Sequence, residues 1–106
     1  MIARVWRGYT TPANADAYEA MLKPELLPGI GQVAGYRGSY LLRRAAGSEI
    51  EFITILLFDS LDAVRAVAGP GYQTAVVPEE RRRVLAHYDA QAAHYEIAAT
   101  HGLPGW

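Results

Sequence analysis

The chain has 106 residues, 51% of them hydrophobic and 20% charged, with a formal net charge of −1 and a pI near 6.3. That is one domain with enough apolar residues to bury a core, so a disordered polar tract is excluded. The near-zero charge excludes a general nucleic-acid binder, which needs a basic surface to neutralise phosphates, and the absence of cysteine excludes disulfides, a thiolate nucleophile and sulfur metal sites.

The N-terminal MIARVWRGYT has no signal-peptide core, and the apolar runs fall far short of a membrane span. The expectation is a single domain over 1–106, soluble and cytoplasmic, with a tail from residue 100. Ile2 to Tyr9 reads as a first strand with Arg4 and Arg7 on opposite faces. Thr11 caps a helix that starts at Pro12, and Ala15, Tyr18 and Leu22 share its inner side. Pro24 kinks or ends that helix, and Pro28-Gly29-Ile30-Gly31 reads as a loop.

Gly35 to Arg44 is predicted as the second strand, a tight turn over Ala46-Gly47-Ser48 follows, and Glu51 to Phe58 is the third strand. The short turn makes an antiparallel hairpin. Ser60 caps a helix with Leu61, Val64, Val67 and Ala68 as its apolar stripe, stopped by Gly69-Pro70-Gly71. After Tyr72 and an apolar link, Pro78-Glu79-Glu80 opens a predicted helix running on through RRRVLAHYDAQ, with Val84, Leu85 and Tyr88 inward and His87 outward. His94 to Ala99 reads as a final short strand.

This order is the α+β, ferredoxin-like split βαβ pattern with a four-stranded antiparallel sheet and helices on one face. The third strand is apolar on both faces, Ile53/Ile55/Leu57 and Phe52/Thr54/Leu56/Phe58. One set meets the helices. The other needs a second sheet, which predicts a homodimer.

Taken together, MIARVWRG, the run Ala34 to Arg44, EFITILLFDSLDAVRAVAG, AVVPEE and HYEI resemble the antibiotic biosynthesis monooxygenase family of the dimeric α+β barrel superfamily. The resemblance spans nearly the whole chain. It implies a homodimer whose sheets form a barrel-like core, with a pocket in each subunit. It also implies a cofactor-independent monooxygenase acting on an aromatic or polycyclic small molecule with molecular oxygen, using neither metal nor flavin. The haem-cleaving branch places a Trp where this chain has Val67 and a haem-ligating His near Val76 and Val77, so the chain departs from that branch. Because the fold hosts many activities, a non-catalytic dimeric small-molecule-binding or stress-related protein is the alternative.

Such an oxygenase needs an acidic aromatic substrate, a group to stabilise its anion and a dry pocket. Tyr72 and His94 are the candidate catalytic residues, since an imidazole titrates near neutral pH. Arg4, Trp6, Tyr36, Tyr40 and Tyr95 are candidate substrate-binding residues, and Arg7, Arg37 and His87 are further polar candidates. Each has a plainer role. Trp6 and Tyr40 suit strand packing, Tyr72 suits a loop anchor, His94 with Glu96 suits a strand pair, and Arg81-Arg82-Arg83 suits a solvated helix face paired to Glu79 and Glu80. His87, His94 and His101 are too dispersed for a local metal motif.

Overall fold

The computed structural model describes residues 1–24 and 34–102. The elements run β1 (Ile2–Thr10), a 3-10 turn (Pro12–Asn14), α1 (Ala15–Pro24), β2 (Tyr36–Ala46), β3 (Glu49–Phe58), α2 (Leu61–Ala68), α3 (Glu79–Arg82), β4 (His87–Tyr88) and β5 (Ala93–Glu96). The sheet is antiparallel, in the order β2-β3-β1-β4, and β5 pairs with β1 further along the edge that β4 occupies. The ferredoxin-like pattern is therefore present, with its fourth strand broken in two.

The local signals act where the sequence puts them. Thr11 Oγ1 accepts from Asn14 N–H at 3.3 Å, and Pro12 opens the 3-10 turn that leads into α1. Ser60 Oγ accepts from Ala63 N–H at 3.2 Å, and α2 ends at Gly69, whose N–H bonds Arg65 O at 2.8 Å. The β2–β3 turn is Gly47-Ser48, with Gly47 at φ 63° and no positive φ at Ser48, the pattern of a type II′ hairpin. Both strands run further toward this turn than predicted, to Ala46 and from Glu49.

The predicted long helix after Pro78 is the main correction. Helix α3 stops at Arg82, and His87 and Tyr88 are strand residues. Ala86 N–H bonds Tyr9 O at 2.7 Å, and Asp89 N–H bonds Arg7 O at 2.9 Å. The free edge of β1 captures this segment, and those long-range backbone bonds outweigh a weak local preference for helix. Leu85 still reaches the core as predicted, while Tyr88 is exposed. The final strand likewise ends at Glu96 rather than Ala99. The loop expected at Pro28–Gly31 and the end of the tail beyond Gly102 lie outside the described residues.

One face of the sheet carries Arg4, Trp6, Gly8 and Thr10 from β1 against Leu56, Thr54, Phe52 and Ile50 from β3. This is the face that meets the helices. Ala15, Tyr18 and Leu22 of α1 pack with Phe52 and Leu85, and the Tyr18 and Phe52 rings meet edge-on at 4.9 Å. Phe58 and Val64 are buried where α2 covers the end of β3. The opposite face carries Val5, Ile53, Ile55, Tyr40 and Leu42, and no described helix covers it.

Candidate functional site

Strand alternation puts Arg4 and Trp6 on the helix-side face, and α1 stands above them. Between sheet and helix lies a cavity of about 240 Å³ lined by Trp6, Tyr18, Leu22, Thr54, Leu56, Ala75, Val76 and Val77, with Arg4 and Arg81. The lining is mainly apolar. Val76, 90% exposed, forms part of the open rim. Among the described residues no acidic side chain lines this cavity.

The break in the edge strand builds the polar end of the site. Continuing the β4 register would set Val5 opposite Gln91, but Val5 faces Ala93. Two residues are thus looped out of the ladder, a bulge-like insertion. The looped segment pairs instead with the stretch after α2. Thr74 bridges Gln91, Ala75 N–H bonds Ala90 O at 3.0 Å, and Ala92 N–H bonds Gln73 O at 2.8 Å. This brings Tyr72 to His94, whose rings meet edge-on at 5.0 Å. Arg65 lies over the Tyr72 ring, 5.3 Å from its centroid.

Arg4 links the two regions. Its Nη1 donates to the Tyr72 carbonyl and to His94 Nε2, the latter at 2.9 Å. Tyr72 and His94 in turn line an open cleft with Leu61, Gln73, Gln91, Ala92 and Ala93. A guanidinium can only donate, so this contact requires a lone pair on His94 Nε2 and leaves the proton of the neutral ring on Nδ1. Burial, and then the Arg4 charge, hold His94 below the ordinary imidazole value. Burial also lowers the Arg4 pKa.

Of the residues singled out in the sequence, Arg4, Tyr72 and His94 come together, and Trp6 lines the cavity with Arg4. Trp6 is oriented by its Nε1–H, which donates to Asp89 O at 2.8 Å. Tyr36 lies elsewhere on the helix-side face, edge-on to Phe58 at 5.9 Å, and is not part of the cavity lining. Tyr40 and Tyr95 point from the opposite face, 46% and 55% exposed. His87 is also on that face, stacked on Tyr9 at 4.2 Å and bonded to Glu49 at 2.8 Å. Arg37 is paired to Asp59.

The sequence reading missed Thr54, Leu56 and the rim at Ala75–Val77 as lining residues. It also treated Arg81 as solvated surface, although Arg81 borders the cavity. The shared side of Tyr18 and Leu22 was visible as a helix stripe, but a stripe does not say whether it meets a core or a cavity. Val76 and Val77 both line the cavity. Among the described residues no group of three metal-ligating side chains gathers, and no helix is long and apolar enough to cross a membrane.

No known family pattern matches the sequence, and no curated protein does. Solved structures do match the fold. A putative antibiotic biosynthesis monooxygenase from Bacillus cereus superposes with a TM-score of 0.72 at 11% identity, covering 97% of this chain and 96% of that one. The haem degrader MhuD from Mycobacterium tuberculosis, solved with two haems in its active site, gives 0.66 at 18% identity, covering 96% and 100%. A putative antibiotic biosynthesis monooxygenase from Chloroflexus aurantiacus gives 0.57 at 18%, covering 95% and 96%. The resemblance read in the sequence thus holds for the fold, which is that of the antibiotic biosynthesis monooxygenases.

Proposed function

We propose that this chain is an oxygenase that acts on an aromatic small molecule held in the cavity between the sheet and α1, without metal or flavin. The observation that carries the proposal is an apolar, aromatic-lined cavity with the half-buried Arg4 guanidinium in its wall. The fold is shared with two proteins described as putative antibiotic biosynthesis monooxygenases, which supports the choice of reaction class.

The reaction suited to these residues begins with an acidic aromatic such as an anthrone. Loss of a proton gives a delocalised anion, which passes one electron to molecular oxygen. Recombination of the two radicals forms a carbon–oxygen bond, and loss of water from the hydroperoxide leaves a carbonyl. One oxygen atom enters the product and the other leaves as water, so no external reductant is needed. Arg4 is placed to stabilise the substrate anion, as a positive group held in a low-dielectric wall does. When the carbonyl oxygen of the bound, still protonated substrate draws Arg4 away, the Nε2 lone pair of His94 is released and can accept the proton as the anion forms. Tyr72 holds the arrangement through its carbonyl.

A dimer belongs to this proposal, with the apolar face of Val5, Ile53, Ile55 and Leu42 covered by a second copy. One observation favours the non-catalytic alternative. The His94 lone pair is already occupied by Arg4, so the resting site presents no free imidazole base. Oxygen uptake with a panel of anthrones and phenols tests the choice. The oxygenase reading expects turnover that falls at least about tenfold in His94→Ala, within the usual contribution of a general base. An unchanged rate in His94→Ala removes that residue from the mechanism, and an unchanged rate in Tyr72→Phe, which keeps the carbonyl, removes only the Tyr72 hydroxyl. Ligand binding without oxygen uptake selects the binding protein.

A further inference from the structure

We infer that the ligand of this cavity carries a carboxylate on its aromatic frame, and that Arg4 is the group that selects it. The inference rests on the proposed function only in taking the cavity to be an aromatic small-molecule site.

The argument comes from how this chain treats its arginines. Arg37 pairs with Asp59 at 2.5 Å, Arg43 with Asp16 and Glu19 at 3.1 and 3.0 Å, and Arg44 with Glu51 at 2.6 Å. Arg65 pairs with Asp62 at 2.9 Å and Arg83 with Glu79 at 3.1 Å. All of these arginines are on the exposed side of the protein, where an ion pair adds little. Arg4 is the reverse case. It is half-buried, yet its partners are a backbone carbonyl and a neutral imidazole, and among the described residues it has no carboxylate.

A cation removed from water without a counter-charge is costly, and an anion delivered by a ligand would relieve that cost. The geometry suits a two-oxygen anion. Among the described residues only Nη1 is hydrogen-bonded. Nε and Nη2 thus remain as a planar fork, which matches the two oxygens of a carboxylate and leaves Nη1 for the anion formed in the reaction. The rest of the lining is apolar or aromatic around Trp6, Tyr18 and Leu56, so the frame that brings the carboxylate should be flat and apolar.

Calorimetric titration of the purified full chain with 2-naphthoate and 2-naphthamide tests this, because the two probes share a frame and differ in charge. The acid is expected to bind at least about tenfold more tightly than the amide at neutral pH. Arg4→Gln should bring the two within about threefold by weakening the acid alone. Arg4→Lys, which keeps charge and loses the fork, should retain only part of the preference and serves if the Gln variant does not fold. Equal affinities in the unmodified chain, or an equal loss for both probes in the variants, overturn the carboxylate inference and leave the aromatic site standing. Binding of neither probe overturns both.

Discussion

The approach of the β2 entry to α2 offers a sharp test of the packing that positions Tyr72. Gly35 has φ 84°, and a Cβ built on it would lie 2.6 Å from the Ala63 Cβ. Alanine at φ near this value costs about 1–2 kcal/mol in backbone strain. A carbon–carbon contact needs about 3.5–4.0 Å, so α2 must also move by about 1 Å, at a further cost of about 1–3 kcal/mol for overpacking. The helix has little freedom to yield, because Val64 is buried beneath it and Asp59 N–H is bonded to Gly35 O at 2.8 Å. Gly35→Ala should therefore destabilise by about 2–5 kcal/mol, a large share of the roughly 5–15 kcal/mol that holds a domain together. Ala63→Gly alone, in the first turn of α2, costs at most about 1 kcal/mol through the lower helix propensity of glycine. In the double variant the clash disappears while the strain remains, so the two changes together should cost about 1–3 kcal/mol less than they do separately. Urea unfolding at one fixed protein concentration measures all four proteins on the same scale. A Gly35→Ala cost below about 0.5 kcal/mol, or a strictly additive cycle, would refute the reasoning. The variant should also weaken binding at the cavity, since α2 leads through Gly69 to Tyr72.

Two further outcomes are expected. His94 has a folded pKa below the ordinary 6.5, so the unfolded chain takes up the proton first as pH falls. His94 therefore makes stability decline from about pH 6.5 down to its folded value and then level off. His94→Gln should lack that decline in urea midpoints measured between pH 5 and 8, and parallel curves would show that neither burial nor the Arg4 charge shifts the ring. On the uncovered sheet face, Leu42 is 45% exposed, so Leu42→Glu should leave the fold intact and place a charge in the proposed interface. Light scattering should then show the mass fall from dimer to monomer, whereas an unmodified chain that is already monomeric at micromolar concentration would contradict the dimer.

The elements that the sequence made legible are those controlled by neighbours in the chain. The Thr11-Pro12 start, the Ser60 cap, the Gly69 stop and the Gly47 turn all act through groups a few residues apart. The alternation that sends Arg4 and Arg7 to opposite faces is equally local. The predicted helix through His87 failed for the converse reason. Its alternative was an unpaired edge, contributed by Arg7 and Tyr9 nearly eighty residues earlier, and no local pattern reports such a partner.

The candidate site divides along the same line. Tyr72 and His94 stand out as residue types beside turns and strands, and Trp6 as an aromatic on the face of Arg4. Their grouping depends on two residues looped out of the last strand, which lets 90–92 pair with 73–75 and carries Tyr72 onto His94. Tyr40 and Tyr95 show the other side of this. As sequence they are as plausible as Trp6, but strand register sends them to the opposite face.

By itself, then, the sequence determined the order of elements from β1 to α2, the ferredoxin-like α+β class and the two-sided apolar character of β3, because capping, turn chemistry and strand periodicity are short-range. Only the tertiary structure decided which face of β3 meets the helices, that the fourth strand is broken, and that a half-buried arginine is held by a carbonyl and an imidazole in the wall of an apolar cavity. Those facts are set by backbone pairing between distant segments, where hydrogen bonds and burial are gained only once the whole sheet has assembled.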